Sequence, residues 1–180
     1  AGPGDSTYLQ YDQRNADNAV KWLQEHAHDE KPWATFLSFV CPHPPYISPQ
    51  DCFDLYDPAA LPLPPQWRQA DWPNHPAMDY FRRFFTFDPQ FPEAMVRQMN
   101  AAYYGVVTYL DRQVGRVLDT LDELGLADKT RVIYTSDHGE HLGGRGIYGK
   151  FTMYEESAGI PMLAAGPDVP VGKVVDTPVS

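Results

Sequence analysis

The chain has 180 residues, 43% of them hydrophobic and 21% charged, which suits one domain with a real core and argues against wholesale disorder. Its 14 Lys and Arg against 24 Asp and Glu give a formal net charge of −10, which repels nucleic acid and anionic membranes; the adjacent pair Arg82 and Arg83 sits among Phe81, Phe84 and Phe85, where stems packed on aromatic surface account for it. No run approaches the roughly 18 apolar residues of a membrane span and no basic-then-apolar leader opens the chain, so a soluble cytoplasmic or periplasmic chain with no nucleic-acid or membrane partner is expected.

In chain order, Asn15 or Asp17 is expected to cap a short amphipathic helix through Ala19, Val20, Trp22 and Leu23 to about His28. Trp33 to Val40 (WATFLSFV), bounded by Pro32 and Pro42, reads as a buried strand that delivers Cys41-Pro42-His43-Pro44-Pro45 beyond its carboxyl end. Residues 44–92 alternate prolines with Trp67, Trp72, Tyr80, Phe81, Phe84 and Phe85. Proline blocks regular elements while aromatics ask for burial, so this stretch is expected to be a substrate-facing cover rather than a disordered loop.

Pro92 can open a long helix in which Met95, Met99, Ala102, Tyr103, Val106, Leu110, Val114, Val117, Leu121 and Leu124 recur every three or four residues. Gly125 is expected to close it as a left-handed cap, with Leu126 folding back on the last turn. Arg131 to Ser136 reads as a buried β-branched strand, followed by Asp137-His138-Gly139, a glycine-studded loop to Lys150, and a third apolar run from Ile160 to Ala165. Strands alternating with helices across long crossovers predict an α/β fold, a three-layer sandwich with a mainly parallel, mixed sheet. Ligands bind beyond the carboxyl ends of such strands, so the segments around His43 and Asp137 are expected to meet there. No internal repeat or second domain boundary is visible, and both ends look cut, as in part of a longer domain.

Asp137 and His138 together offer a carboxylate oxygen and an imidazole nitrogen, half of a divalent metal site; a plain strand-end turn capped by Asp137 is the competing reading. Gly139 permits a sharp turn. Ser136-Asp137-His138 is no catalytic triad, because neighbours on an extended chain point to opposite faces. Lys150 can bring a point charge to an anionic group, or be simply solvated. His43, stiffened by three prolines, can bind an anionic oxygen or protonate a leaving group, or be structural. His141 is a reserve candidate, whereas His26, His28 and His75 read as surface or loop residues. Cys41, closing an apolar strand, reads as a small buried hydrophobe rather than a nucleophile, and Cys41 and Cys52 are too few for a disulfide scaffold.

Tyr134 to Gly143 (YTSDHGEHLG), continued by Gly146-Ile147-Tyr148-Gly149-Lys150, Tyr154-Glu155-Glu156-Ser157 and Ile160-Pro161-Met162, closely resembles the second signature region of the sulfatase family within the alkaline phosphatase superfamily. Tyr103-Tyr104-Gly105 with Leu110-Asp111 and Val114-Gly115, and Phe36 to Tyr46 with Pro42-His43-Pro44-Pro45, resemble further segments of that family in the expected order. The resemblance implies that Asp137 and His138 are metal ligands and that Lys150 and His43 bind the sulfate or assist the leaving oxygen. Many sulfatases carry Asn at the place of His138; His is more typical of the choline-sulfatase-like and the phosphonate or phosphodiester hydrolase branches. The implied metal is calcium first and manganese second, since a nitrogen ligand tolerates manganese better than an all-oxygen site does.

The family's nucleophile is a formylglycine made from the Cys or Ser of a Cys/Ser-x-Pro-x-Arg motif, which these 180 residues do not contain. The resemblance therefore implies a metal- and formylglycine-dependent sulfatase acting on a small sulfate ester, with this chain supplying part of the metal and sulfate site but not the nucleophile, and inactive by itself. A phosphodiester or phosphonate monoester hydrolase of the same superfamily, or a non-catalytic anion-binding fragment, are the alternative readings.

Overall fold

A computed structural model describes residues 1–178. The core is built by two helices, α1 (Thr7–His26) and α4 (Glu93–Glu123), packed along each other. Leu9, Cys41, Cys52, Val106, Tyr109 and Leu110 form one buried cluster, and Leu23, Leu121 and Leu126 form a second beneath Trp22 and Trp33. Each fully buried aliphatic chain contributes about 2 kcal/mol, so these two stripes are what holds the helices together.

Helix α1 begins earlier than the sequence suggests. Ser6 is its cap, its hydroxyl accepting from Leu9 N, and Asn15 and Asp17 lie inside the helix. Both have other partners: Asn15 Nδ2 donates to Ser38 O, and Asp17 pairs with Arg116 of α4, which holds its carboxyl below the usual range. An Asx residue is a cap only where the backbone leaves an N–H free, and within α1 it does not.

Helix α4 runs from the expected start, with Pro92 in the capping position, and spans about 46 Å at 1.5 Å per residue. Its end is the expected one. Gly125 has φ +64°, its N–H meets Asp122 O, and Leu126 N donates to Leu121 O at 2.9 Å, the paired bonds of a Schellman close with the buried Leu121–Leu126 contact across it.

The strands are sparse among the described residues. β1 (Gly2–Pro3) pairs in parallel with β2 (Ile47–Ser48), while β3 (Val132–Thr135) pairs antiparallel with β4 (Met162–Ala165). Trp33 to Val40 is not a strand: its polar backbone is tied to α1, through Asn15 to Ser38 O and Asp12 to Val40 N and Cys41 N, and Phe36 is 92% exposed. β3 and β4 are not buried either, with Ile133 64% exposed and Met162 and Leu163 similarly open. A strand is buried by its neighbours, and of these eight strand residues Val132 alone is partly buried, packed against the Leu23–Leu121–Leu126 cluster.

The proline-rich stretch is more regular than composition suggests. It holds β2, the short α2 (Gln50–Phe53) and the nine-residue α3 (Pro76–Phe84), with Pro76 in the first turn, where a missing N–H costs nothing. No helix among the described residues is long and apolar enough to cross a membrane.

Candidate active site

His43 is delivered by α1. Asp12, fully buried on the inner face of that helix, accepts from Val40 N at 2.8 Å and Cys41 N at 2.9 Å, fixing the backbone two residues before the histidine. A carboxylate at the spacing of the apolar stripe, three residues after Leu9 and four before Ala16, is a signal in the sequence itself, and the reading by motif passed over it. Burial pushes the Cys41 thiol far up, with Asp12 adding to the shift, so the thiolate needed for nucleophilic chemistry is disfavoured.

His43 Nδ1 lies 2.8 Å from Pro44 O, which can only accept, so Nδ1 carries the hydrogen and Nε2 a lone pair. That lone pair receives an N–H of Lys150 at 2.6 Å across 107 positions of sequence. The His138 ring stands edge-on to His43, with centroids 6.0 Å apart. His138 is locked in the same tautomer, Nδ1 donating to Gly139 O at 2.8 Å, which leaves Nε2 3.7 Å from Asp137 Oδ1. The structure thus brings His43, His138 and Lys150 into one cluster, with Asp137 at its open edge and 87% exposed.

Asp137 Oδ1 and His138 Nε2, 3.7 Å apart, can each offer a lone pair, a donor set that fits two ligands of a divalent cation. No group of three or more His, Cys, Asp or Glu suited to a metal occurs among the described residues, so the set stays at two.

Gly139 serves close approach rather than a sharp turn: a Cβ there would lie 2.2 Å from Glu156 O. Its N–H donates to Ser157 O of the four-residue α5 (Glu155–Ala158). The loop that follows is pinned rather than flexible. Glu140 Oε1 accepts from Leu142 N and Gly149 N, His141 N donates to Gly149 O, and Ser157 Oγ donates to Lys150 O at 2.7 Å. Glu140 also lies by the buried Tyr46 and Tyr148 and the half-buried Tyr103; desolvation first and this carboxylate second push their phenols up, Tyr103 to about 12.

Helix α3 clamps the same loop from outside. Arg82 is 2% exposed, far more than a stem packed on aromatics: its Nε and Nη2 fork onto Arg145 O at 3.0 and 2.9 Å, Nη1 meets Asp79, and the guanidinium sits 4.5 Å over the Trp72 ring. Arg145 is held at φ +56°, a left-handed conformation that costs a non-glycine residue about 1 kcal/mol or more. Its own side chain pairs with Glu156 and covers Tyr154. Phe151, next to Lys150, stacks on Phe85 at 4.4 Å. His141, the reserve candidate, is buried away from the cluster against Thr152 Oγ1.

The family model for sulfatases matches residues 1–180. The chain belongs to the sulfatase family. The choline-sulfatase of Rhizobium meliloti is 33% identical over 150 residues, covering 79% of this chain and 28% of that protein. The arylsulfatase K of Bos taurus is 31% identical over 190 residues, covering 96% of this chain and 34% of that protein. Among solved structures, the phosphonate monoester hydrolase SpPMH from Silicibacter pomeroyi superposes with a TM-score of 0.77 at 30% identity, over 89% of this chain and 33% of that one. This sulfatase-family chain therefore spans about a third of the length of the relatives it matches. The same likeness supports the α/β class expected from the sequence.

Proposed function

We propose that this chain is the part of a sulfate ester hydrolase that supplies Asp137 and His138 to a divalent metal and His43 and Lys150 to the sulfate group. The observation that carries the reading is the 2.6 Å contact between Lys150 and His43, beside His138: a cation and two preset imidazoles gathered from two distant segments in a family of ester hydrolases. Calcium is the first choice of metal and manganese the second. The metal would offset negative charge on the ester oxygens, and a formylglycine from outside these 180 residues would supply the nucleophile.

The chain's own residues have separable tasks. Lys150 keeps two N–H groups free beyond the one given to His43, and these stabilise charge gathering on an ester oxygen. His43, held through Pro44 O, orients Lys150 by accepting its N–H at Nε2, and release of that contact would free Nε2 to carry a proton to the leaving oxygen. The full-length protein is expected to hydrolyse an aryl sulfate, and Lys150→Ala is expected to lower kcat/KM by about two orders of magnitude, as for loss of one charge-stabilising donor. Unchanged kinetics would remove Lys150 from the site.

A second reading keeps the site and changes the ester. His138 in place of the amide common among sulfatases, together with the likeness to a phosphonate monoester hydrolase, favours an aryl phosphodiester or phosphonate substrate. Rates on matched aryl sulfate and aryl phosphodiester substrates decide between the two.

A further inference from the structure

The ammonium of Lys150 rides on a long flexible stem, so its place in the site depends on how firmly its backbone is held relative to Asp137 and His138. The chain between Gly139 and Lys150 is a winding loop with Leu142 and Arg145 in left-handed conformations. Ser157 spans that loop in one residue. Its carbonyl accepts from Gly139 N at 2.8 Å, immediately after His138, and its hydroxyl donates to Lys150 O at 2.7 Å. The side chain is buried, and the approach of α5 to Gly139 is so close that no Cβ fits there. The peptide on the other side of Lys150 is held independently, by Glu140 Oε1 on Gly149 N at 2.6 Å and His141 N on Gly149 O at 3.0 Å.

We propose that Ser157 is a positioning residue that sets the placement of Lys150 relative to the Asp137–His138 end of β3. The proposal rests on the reading of Lys150 given above. Without the hydroxyl, the Lys150 carbonyl loses its partner and the peptide can rotate about the Gly149 anchor. A displacement of about an ångström at the ammonium lowers the rate by one to two orders of magnitude. A serine that merely filled a buried hydrogen bond would matter equally whether or not position 150 carried a cation.

The test is a double-mutant cycle on the full-length protein, with an aryl sulfate or aryl phosphodiester, whichever it hydrolyses. Ser157→Ala is expected to lower kcat/KM about tenfold in the presence of Lys150 and to have no further effect in the Lys150→Ala background, because the group it positions is already gone. A wild-type rate for Ser157→Ala, or the same tenfold loss in both backgrounds, overturns the proposal while leaving Lys150 in the site. A wild-type rate for Lys150→Ala overturns the reading of the lysine, and the proposal with it. Thermal midpoints accompany each variant; if Ser157→Ala does not fold, Ser157→Cys, similar in size but a weak donor, repeats the cycle with the same outcomes.

Discussion

Asp12 illustrates how a single side chain does work for a site it never touches. Both carboxylate oxygens are committed to backbone N–H groups just before the Pro42-His43-Pro44-Pro45 turn, in a fully buried position. Asp12→Ala leaves two buried donors without acceptors and is expected to cost about 3 kcal/mol in denaturant unfolding, with Asp12→Asn, which keeps one acceptor oxygen, costing less. A loss within about 0.5 kcal/mol would mean that solvent reaches these amides. As candidates for the site, Asp137, His138, Lys150 and His43 were legible as types: polar or charged groups at apolar-run ends or beside glycine and proline. Their partners were not, because a tautomer-setting carbonyl or a Lys–His contact across 107 positions leaves no local trace.

At the scale of elements, the glycine-rich loop behaves as a packed unit. Helix α3 holds it through Arg82, α5 through Ser157, and His141 fills its interior, with no partner for Nδ1 among the described residues. Burial lowers the His141 pKa below its ordinary 6.5, Arg145 adds to the lowering, and Glu156 and Glu140 oppose it. The fold therefore prefers the neutral ring, and its contribution is complete above pH 6.5. As the pH falls below about 6.5 the unfolded chain takes up the proton first, so stability drops until the folded value is passed. Glu156, lowered by Arg145, acts in the same direction but in a separate window below its ordinary 4.5. The thermal midpoint is expected to fall between pH 7.5 and 5.5, and to fall less in His141→Gln. Equal slopes for the two proteins would place the responsible group elsewhere.

On the scale of the whole molecule, a helical core presents the proposed site, which on that reading is incomplete. Calcium takes six to eight ligands, and the described residues would supply two, Asp137 and His138. Calorimetric titration of the 180-residue chain with calcium or manganese is expected to give dissociation constants no tighter than about 1 mM, the weak end of protein calcium sites. Micromolar binding would show that this chain carries a complete metal site by itself. Ile133, Met162 and Leu163 on β3 and β4 are likewise exposed, in a chain that spans about a third of its relatives' length.

What the sequence determined by itself is what local periodicity and turn chemistry can encode. The helix after Pro92 with its Gly125 close, the strand before Asp137 and the family likeness were all readable, because each depends on residues within a few positions of one another. The tertiary structure decided the rest. Trp33 to Val40 has a strand's composition but bonds to α1, since hydrogen bonding to a neighbour rather than apolarity makes a strand. The proline-rich stretch contains a helix whose buried arginine clamps the loop between Gly139 and Lys150, because a proline in the first turn is compatible with a helix and Arg82 finds the acceptor Arg145 O 63 residues away. The Gly139 requirement likewise comes from Glu156 O, a backbone atom that only the packing of α5 brings within reach.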